Sequence, residues 1–323
     1  MNTCLIAKAN AGASSCKNKS KMILRVFRCI IFSATLLVLH GKVRGQGPID
    51  GYLKGKGMLD IALSYTYSSS NKYFGADNKQ FDLEYESHTA GLFTEYGISD
   101  KVDAVLTLPF VITEEEKNFQ DLGLFIKYRP LYVQVKEKNK LGIILSTGYS
   151  FPVSNYQPDV TGALGQRAQV IPLKAVAQFE FEKGTFINFT GAYHLRVDRL
   201  SDATIEEAQA ANPLFQPSRP GNFMTLMLKG GLAAQYYYFD LYAEYQKTFD
   251  GVDFEDSIVK PSQLYAVDYL KLGAGFYYSI DSHTGFALNA AYIPAGKNIG
   301  NIFSFSASLI MKIQTNKKRK PKL

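Results

Sequence analysis

The sequence predicts an all-β protein, a transmembrane antiparallel β-barrel of about twelve strands with short periplasmic turns and longer extracellular loops. Three observations predict it: segments with alternating apolar and polar side chains, connections that are alternately short and long, and an apolar N-terminal stretch typical of export. In the first segment Leu59 and Ile61 fall on one strand face, and Asp60 and Ser64 fall on the other. A soluble sandwich would bury the apolar face in a core, whereas an outer-membrane barrel turns it toward lipid.

Composition favours the barrel. The chain has 323 residues, and its mean hydropathy of -0.10 is too polar for a bundle of transmembrane helices. A barrel has this composition because only every second strand residue meets lipid. The three cysteines, Cys4, Cys16 and Cys29, all precede the expected mature start, which excludes a small fold held by disulfides.

The N-terminus indicates export. Arg25 and Arg28 precede the apolar stretch 29–39, which is too short to cross a bilayer as a helix, and small residues lie near a cleavage point before Gln46. An N-terminal membrane anchor is the alternative. We therefore expect a leader outside the native protein at residues 1–21 and a signal peptide at 22–45. A short N-terminal periplasmic segment follows at 46–56, then the barrel at 57–314 and a basic tail at 315–323.

The remaining elements follow from periodicity and turn residues. The expected strands cover residues 59–68, 88–96, 102–112, 122–129, 141–151, 171–181, 187–197, 224–235, 239–247, 270–280, 286–292 and 303–313. Long outer loops are expected at 69–87, 152–170, 198–223 and 250–269, the third with a short helix at 203–211. Residues 131–140 form an unusually long inner turn in this scheme. Residues 236–238 lack turn residues, so a ten-strand barrel is the alternative.

The run from Glu95 to Pro109 resembles a hairpin of the outer-membrane barrels associated with phenol degradation by the meta-cleavage pathway. In that family a strand ends in Glu-Tyr-Gly, turns through Ser/Thr-Asp-Lys/Arg, and returns to a strand closing with Pro. Residues 121–129 and 273–298 are similar to its next strand and its closing hairpin. The resemblance implies an outer-membrane barrel of a Gram-negative bacterium and a transporter of small, often aromatic or apolar, compounds.

The polar strand face carries the candidate functional residues. If the apolar residues face lipid, a set of charged or ionisable side chains faces the lumen, because a lysine or arginine facing lipid at mid-depth costs about 2 to 4 kcal/mol. These candidates are Asp60, Glu95, Asp103, Lys127, Arg129, Lys174, Glu180, His194, Arg196, Lys229, Asp240, Glu244 and Lys271. They could form a paired network that plugs the barrel, or line a narrow pore in which Arg129 and Arg196 favour anions.

We therefore expect a channel for small molecules, with a plugged structural or interaction barrel as the alternative. A lipid hydrolase is a remote alternative, because His88, His194 and His283 lack a serine two residues later on the same strand face. No cofactor or metal site is expected. The expected partners are outer-membrane lipid, a small-molecule solute and the outer-membrane assembly machinery. Nucleic acid is not expected, because the signal region and residues 317–320 account for the net charge of +7.

Overall fold

The computed structural model describes residues 51–77, 79–136, 138–156, 167–197, 221–251, 253 and 265–315, and this part of the chain is all-β. Its strands are β1 (Met58–Phe74), β2 (Gln80–Ser99), β3 (Val102–Ile112), β4 (Lys117–Phe119), β5 (Asp121–Lys136), β6 (Asn139–Pro152), β7 (Val170–Glu180), β8 (Thr185–Arg196), β9 (Phe223–Ala233), β10 (Tyr237–Thr248), β11 (Asp268–Ser279), β12 (Thr284–Lys297), β13 (Ile299–Gly300) and β14 (Phe303–Gln314). The described residues contain no helix long and apolar enough to cross a membrane.

Twelve long strands close into an antiparallel barrel. Each pairs with its neighbours in chain order, and β1 pairs with both β2 and β14, which completes the ring. The short β4 adds to the end of β3, and β13 adds to the end of β1. The prediction of twelve strands is confirmed. The ten-strand alternative is wrong, because the Ala234 amide donates to the Tyr237 carbonyl and closes a tight turn between β9 and β10 without glycine.

The connections define two ends of the barrel. The turn end carries the tight connections after β2, β5, β7, β9 and β11, together with the first residue of β1 and the last residue of β14. The loop end carries the other connections, which include the ranges of the long loops. The expected loop helix at 203–211, residues 1–50 and the tail beyond Thr315 lie outside the described residues.

Two expected connections are largely strand. The predicted long turn at 131–140 is wrong: β5 continues to Lys136, and β6 begins at Asn139. A register shift between Tyr128 and Leu131 interrupts the two-residue alternation, so the sequence pattern stops although the strand continues. The predicted loop at 69–87 is mostly the paired ends of β1 and β2 around a turn in which Gly75 donates to Lys79.

The outer wall is apolar. Large aliphatic and aromatic side chains alternate along the strands with buried inner residues, and Leu228 and Leu241 are each 57% exposed. Such a continuous apolar outer surface is what a barrel presents to lipid, whereas a soluble protein rarely exposes large contiguous apolar patches. The inner wall faces the lumen, which is where the candidate residues must be sought.

Candidate functional site

The candidate residues all belong to the described strands, and their burial changes along the barrel. Glu95, Asp103 and Lys127, near the turn end of β2, β3 and β5, are 0% exposed. Asp60, Arg196 and Asp240 are also buried. The remaining candidates are half-buried: Arg129, Lys174, Glu180, His194, Lys229, Glu244 and Lys271.

The buried charges at the turn end form one paired network. The Lys127 ammonium lies 2.6 Å from Glu95 and donates to the Tyr52 carbonyl at 2.8 Å. Lys54 completes the network, with its ammonium 3.0 Å from Asp60 and 3.4 Å from Glu95. Its backbone N–H also donates to Asp103 at 2.7 Å. Burying charges without such partners would cost several kcal/mol per ion, so the network explains how the lumen tolerates them.

Tyr52 and Lys54 belong to a segment at residues 51–56 that we call the strap. It contacts β2, β3 and β5 through Lys54 and the Tyr52 carbonyl. On the other side, the Tyr52 ring meets Phe186 of β8 edge-on, with centroids 6.3 Å apart, and packs on an aromatic cluster with Tyr238 and Tyr277. The strap therefore crosses the barrel near its turn end.

Glycine makes the strap's path possible. Gly55 and Gly57 adopt φ of +87° and +76°, which favours glycine over other residues. A Cβ at Gly97 would overlap the Gly55 carbonyl oxygen, so the wall beneath the strap must also be small. The sequence analysis assigned residues 46–56 only to a periplasmic segment and missed the contacts that Tyr52 and Lys54 make inside the barrel. The glycines were the available signal, but they do not identify a partner.

A second network lies in the middle of the lumen. The Lys271 ammonium lies 2.6 Å from Glu244, which also accepts from the Tyr269 hydroxyl at 2.9 Å. Lys229 lies 3.6 Å from Asp240 on the neighbouring strand. These acidic and basic groups neutralise each other, as the paired-network interpretation expects.

The loop-end half of β7 and β8 carries a basic group with a different arrangement. The His194 ring stacks on Phe223 with centroids 4.1 Å apart, and the Arg196 guanidinium lies 5.0 Å from the same Phe223 ring. Lys174 belongs to the next inward row, because it pairs with Ala192 while His194 pairs with Pro172. Three basic or ionisable side chains thus follow one another down this wall.

Arg129 and Glu180 lie at the turn-end rim. Arg129 donates to the Asp100 carbonyl at 3.0 Å and rests 4.5 Å above the Tyr132 ring. Glu180 accepts from the Tyr132 hydroxyl at 3.3 Å. The structure therefore does not bring Arg129 together with Arg196, which lies at the loop end of β8.

One exposed ion pair lies at the same rim, in the turns that connect the strands. Lys138 lies 2.5 Å from Glu182, in the neighbouring turn. This hydrogen bond lowers the pKa of Glu182 and raises the pKa of Lys138, because it stabilises both charged forms. Because both groups are exposed, the pair ties the two turns together with little energetic effect.

The wall opposite the basic group is hydroxylated between the loop end and the buried charges of the turn end. It belongs to β14, β1 and β2, and β14 and β1 lie six strands around the ring from β7 and β8 respectively. Its inward residues pair across strands, as Ser308 does with Ser64 and Ser306 with Thr66. The whole set is Ser64, Thr66, Ser68, Ser87, Thr89, Ser304, Ser306 and Ser308. The sequence analysis missed this wall, although its alternate small polar residues were visible.

The described histidines, His88, His194 and His283, belong to β2, β8 and the turn between β11 and β12, and each has its own partners. His88 lies 2.7 Å from the Tyr65 hydroxyl and 3.1 Å from Glu86. His283 contacts the Ser282 hydroxyl through its ring. The backbone N–H of His283 donates to the Asp281 carboxylate, and this hydrogen bond lowers the pKa of Asp281. Within the described ranges, no group of three histidine, cysteine, aspartate or glutamate residues could hold a metal ion.

Comparisons with known proteins support the fold. No family model and no curated protein sequence matches the chain. An outer membrane channel from Pseudomonas putida F1 has a similar structure, with a TM-score of 0.62 and 12% identity over 83% of this chain and 100% of that chain. The NanC porin gives a TM-score of 0.49 at 8% identity over 77% of this chain and 97% of that chain. At 12% identity the first match shows a shared fold, that of an outer-membrane barrel.

Proposed function

We propose that this protein is an outer-membrane channel of a Gram-negative bacterium that lets small solutes pass. One observation carries the proposal: behind a predominantly apolar outer wall lies an inner wall of charged and hydroxylated side chains, many of them half-buried. Contact with lipid alone would not require a charged and hydroxylated inner face, whereas a water-containing lumen does require one. The outer wall would contact lipid, and the assembly machinery would insert the barrel.

In this proposal the turn end faces the periplasm and the loop end faces the outside. Bacterial barrels have short periplasmic turns and longer outer loops, and an exported chain begins in the periplasm. Residues 22–45 would then be the signal peptide, and residues 46–56 would remain on the periplasmic side. The strap would cross the periplasmic mouth.

The resemblance to the phenol-degradation barrels suggests an aromatic or apolar solute. The lumen residues favour a polar solute instead, because the half opposite β7 and β8 presents serine and threonine hydroxyls. Hydroxyls offer hydrogen bonds to a polar solute without the desolvation cost that a buried charge imposes. We therefore propose small polar solutes as the primary class.

A plugged structural barrel is the second candidate, and the strap favours it. Lys54 and Tyr52 connect opposite walls at a level where Glu95, Asp103 and Lys127 are 0% exposed. Passage through the turn end therefore requires the strap to move. The two candidates differ in whether the strap is a removable barrier or a permanent plug.

A reversible crosslink tests this difference. The Lys56 backbone N–H donates to Asp100 at 3.2 Å, so Lys56→Cys with Asp100→Cys introduces cysteines on two segments in contact, and a count of free thiols after oxidation shows whether the disulfide has formed. The cysteines of the natural sequence all precede residue 46, so the mature barrel would contain no competing thiol. Conductance of the purified barrel is measured in planar bilayers before and after reduction, with each single variant as the control.

The channel proposal expects steady conductance in the native barrel and a several-fold increase when the crosslinked variant is reduced. Equal conductance of the oxidised and reduced barrels would support the channel but show that the strap is not its barrier. If neither the native nor the reduced barrel conducts, although both are folded, the plugged barrel is the correct interpretation.

A further inference from the structure

Lys174 is an inner-wall lysine with no carboxylate within ion-pair distance among the described residues. Lys127, Lys229 and Lys271 each lie within 3.6 Å of a carboxylate. Lys174 is half-buried on β7, and none of the described residues forms a hydrogen bond, ion pair or ring contact with its ammonium. A half-buried cation without a partner is costly, and an anionic ligand would offset that cost.

The residues beside Lys174 supply further donors. Ser146 of β6 pairs directly with Lys174 and is 8% exposed, and its hydroxyl makes no hydrogen bond to any residue in the described ranges. His194 belongs to the adjacent inward row of β8, and its Nε2 lies 3.4 Å from the Thr225 hydroxyl. An ammonium, an unused hydroxyl and an imidazole therefore share one patch of wall.

Among the described residues, no carboxylate lies within ion-pair distance of the Lys174 ammonium. Glu244 is an electrostatic neighbour of Lys174, together with Lys127 and Lys229. Glu244 is already bonded to Lys271 and Tyr269. Toward the loop end, the opposite wall of β14 and β1 presents the hydroxyls described above, and the acidic side chain on β1, Asp60, lies nearer the turn end beside Lys54.

We propose that Lys174, with Ser146 and His194, binds the carboxylate group of a small organic solute in the loop-end half of the lumen. One ammonium and adjacent neutral donors match the single charge and two oxygens of a carboxylate. The hydroxylated wall leaves room for a polar body without repelling it. The inference deepens the proposed channel function and rests on it for the route by which the solute enters.

Equilibrium binding tests the site without requiring flux. Gluconate is titrated into the purified, folded barrel by calorimetry, and sorbitol serves as the probe that keeps the hydroxyls but lacks the carboxylate. We expect gluconate to bind and sorbitol not to bind. Lys174→Met should weaken gluconate binding by about ten- to a hundredfold, because a hydrogen bond to a charged group is lost. Ser146→Ala should weaken it by about threefold, because it removes a single neutral donor.

Two variants control for charge and folding. Lys312→Met removes an inward lysine that rests 5.0 Å from the Tyr277 ring near the turn end, and it should leave gluconate binding unchanged. Lys174→Arg should retain most of the affinity because it keeps the charge. Equal binding by the native and Lys174→Met barrels, equal binding of sorbitol, or no gluconate binding would each overturn the site. If the barrel binds gluconate but never conducts, the binding site is supported and the channel function is refuted.

Discussion

Replacing Leu228 by arginine should lower the free energy of unfolding of the barrel by about 2 to 4 kcal/mol. Leu228 lies at the centre of β9 and is 57% exposed on the outer wall, so its side chain meets lipid near mid-depth. An arginine there must either enter hydrocarbon or stretch toward the membrane surface. The loss corresponds to a decrease of about 30- to 900-fold in the folding equilibrium constant.

The neighbouring residue supplies the matched control. Met227 faces the lumen, where it pairs with Thr190 of β8 and Glu244 of β10. Met227→Arg therefore places the same charge beside water and a carboxylate, and should cost less than about 1 kcal/mol. Both variants are unfolded with urea in phospholipid vesicles and followed by circular dichroism. A larger loss for Met227→Arg than for Leu228→Arg would show that the lipid and lumen faces are assigned the wrong way round.

Two further predictions concern the turn end. Lys127→Met should destabilise the barrel by about 3 kcal/mol because Glu95 loses its closest cation. The double variant with Glu95→Leu should recover most of that loss in urea titrations, and no recovery would mean that packing rather than charge is responsible. Gly97→Ala should displace the strap, because a Cβ there overlaps the Gly55 carbonyl oxygen. Trypsin should then cleave after Lys56 faster than in the native barrel, and an unchanged rate would contradict the strap's position.

The sequence was sufficient for the strands because each one repeats the same two-residue alternation. It located β3 at its exact bounds and found the other eleven long strands with ends that differ by up to eight residues, but it missed the short β4 and β13. It failed at residues 131–140, where the register shift after Tyr128 reverses the alternation within one strand. A single sequence contains no signal for such a shift, because pairing with β6 rather than local preference maintains the strand.

The candidate residues could be assigned to the inner face, but their partners could not. Lys229 and Asp240 meet because β9 and β10 pair in one particular register, and a shift of one residue would separate them. The strap was missed for a related reason. Its contacts with Lys127 and Phe186 join segments far apart in the sequence, and it has no periodic pattern.

The strap and the proposed binding site are different sets of residues that adjoin on one wall, because Ser146 pairs with Lys174 on one side and with Lys127, which donates to the Tyr52 carbonyl, on the other. The strap crosses the turn end through the contacts of Lys54 and Tyr52. Lys174 lies in the loop-end half of β7, four residues from the start of that strand at Val170. Crosslinking the strap through Lys56→Cys and Asp100→Cys should reduce conductance several-fold while changing gluconate affinity less than about twofold, since it keeps the strap in its native position and alters no group that contacts the solute. The measurement is calorimetry and bilayer conductance on one oxidised preparation, with the reduced preparation as control. If oxidation lowers affinity and conductance together, the strap and the Lys174 site are coupled, and the lumen cannot be divided into a gate and an independent binding site.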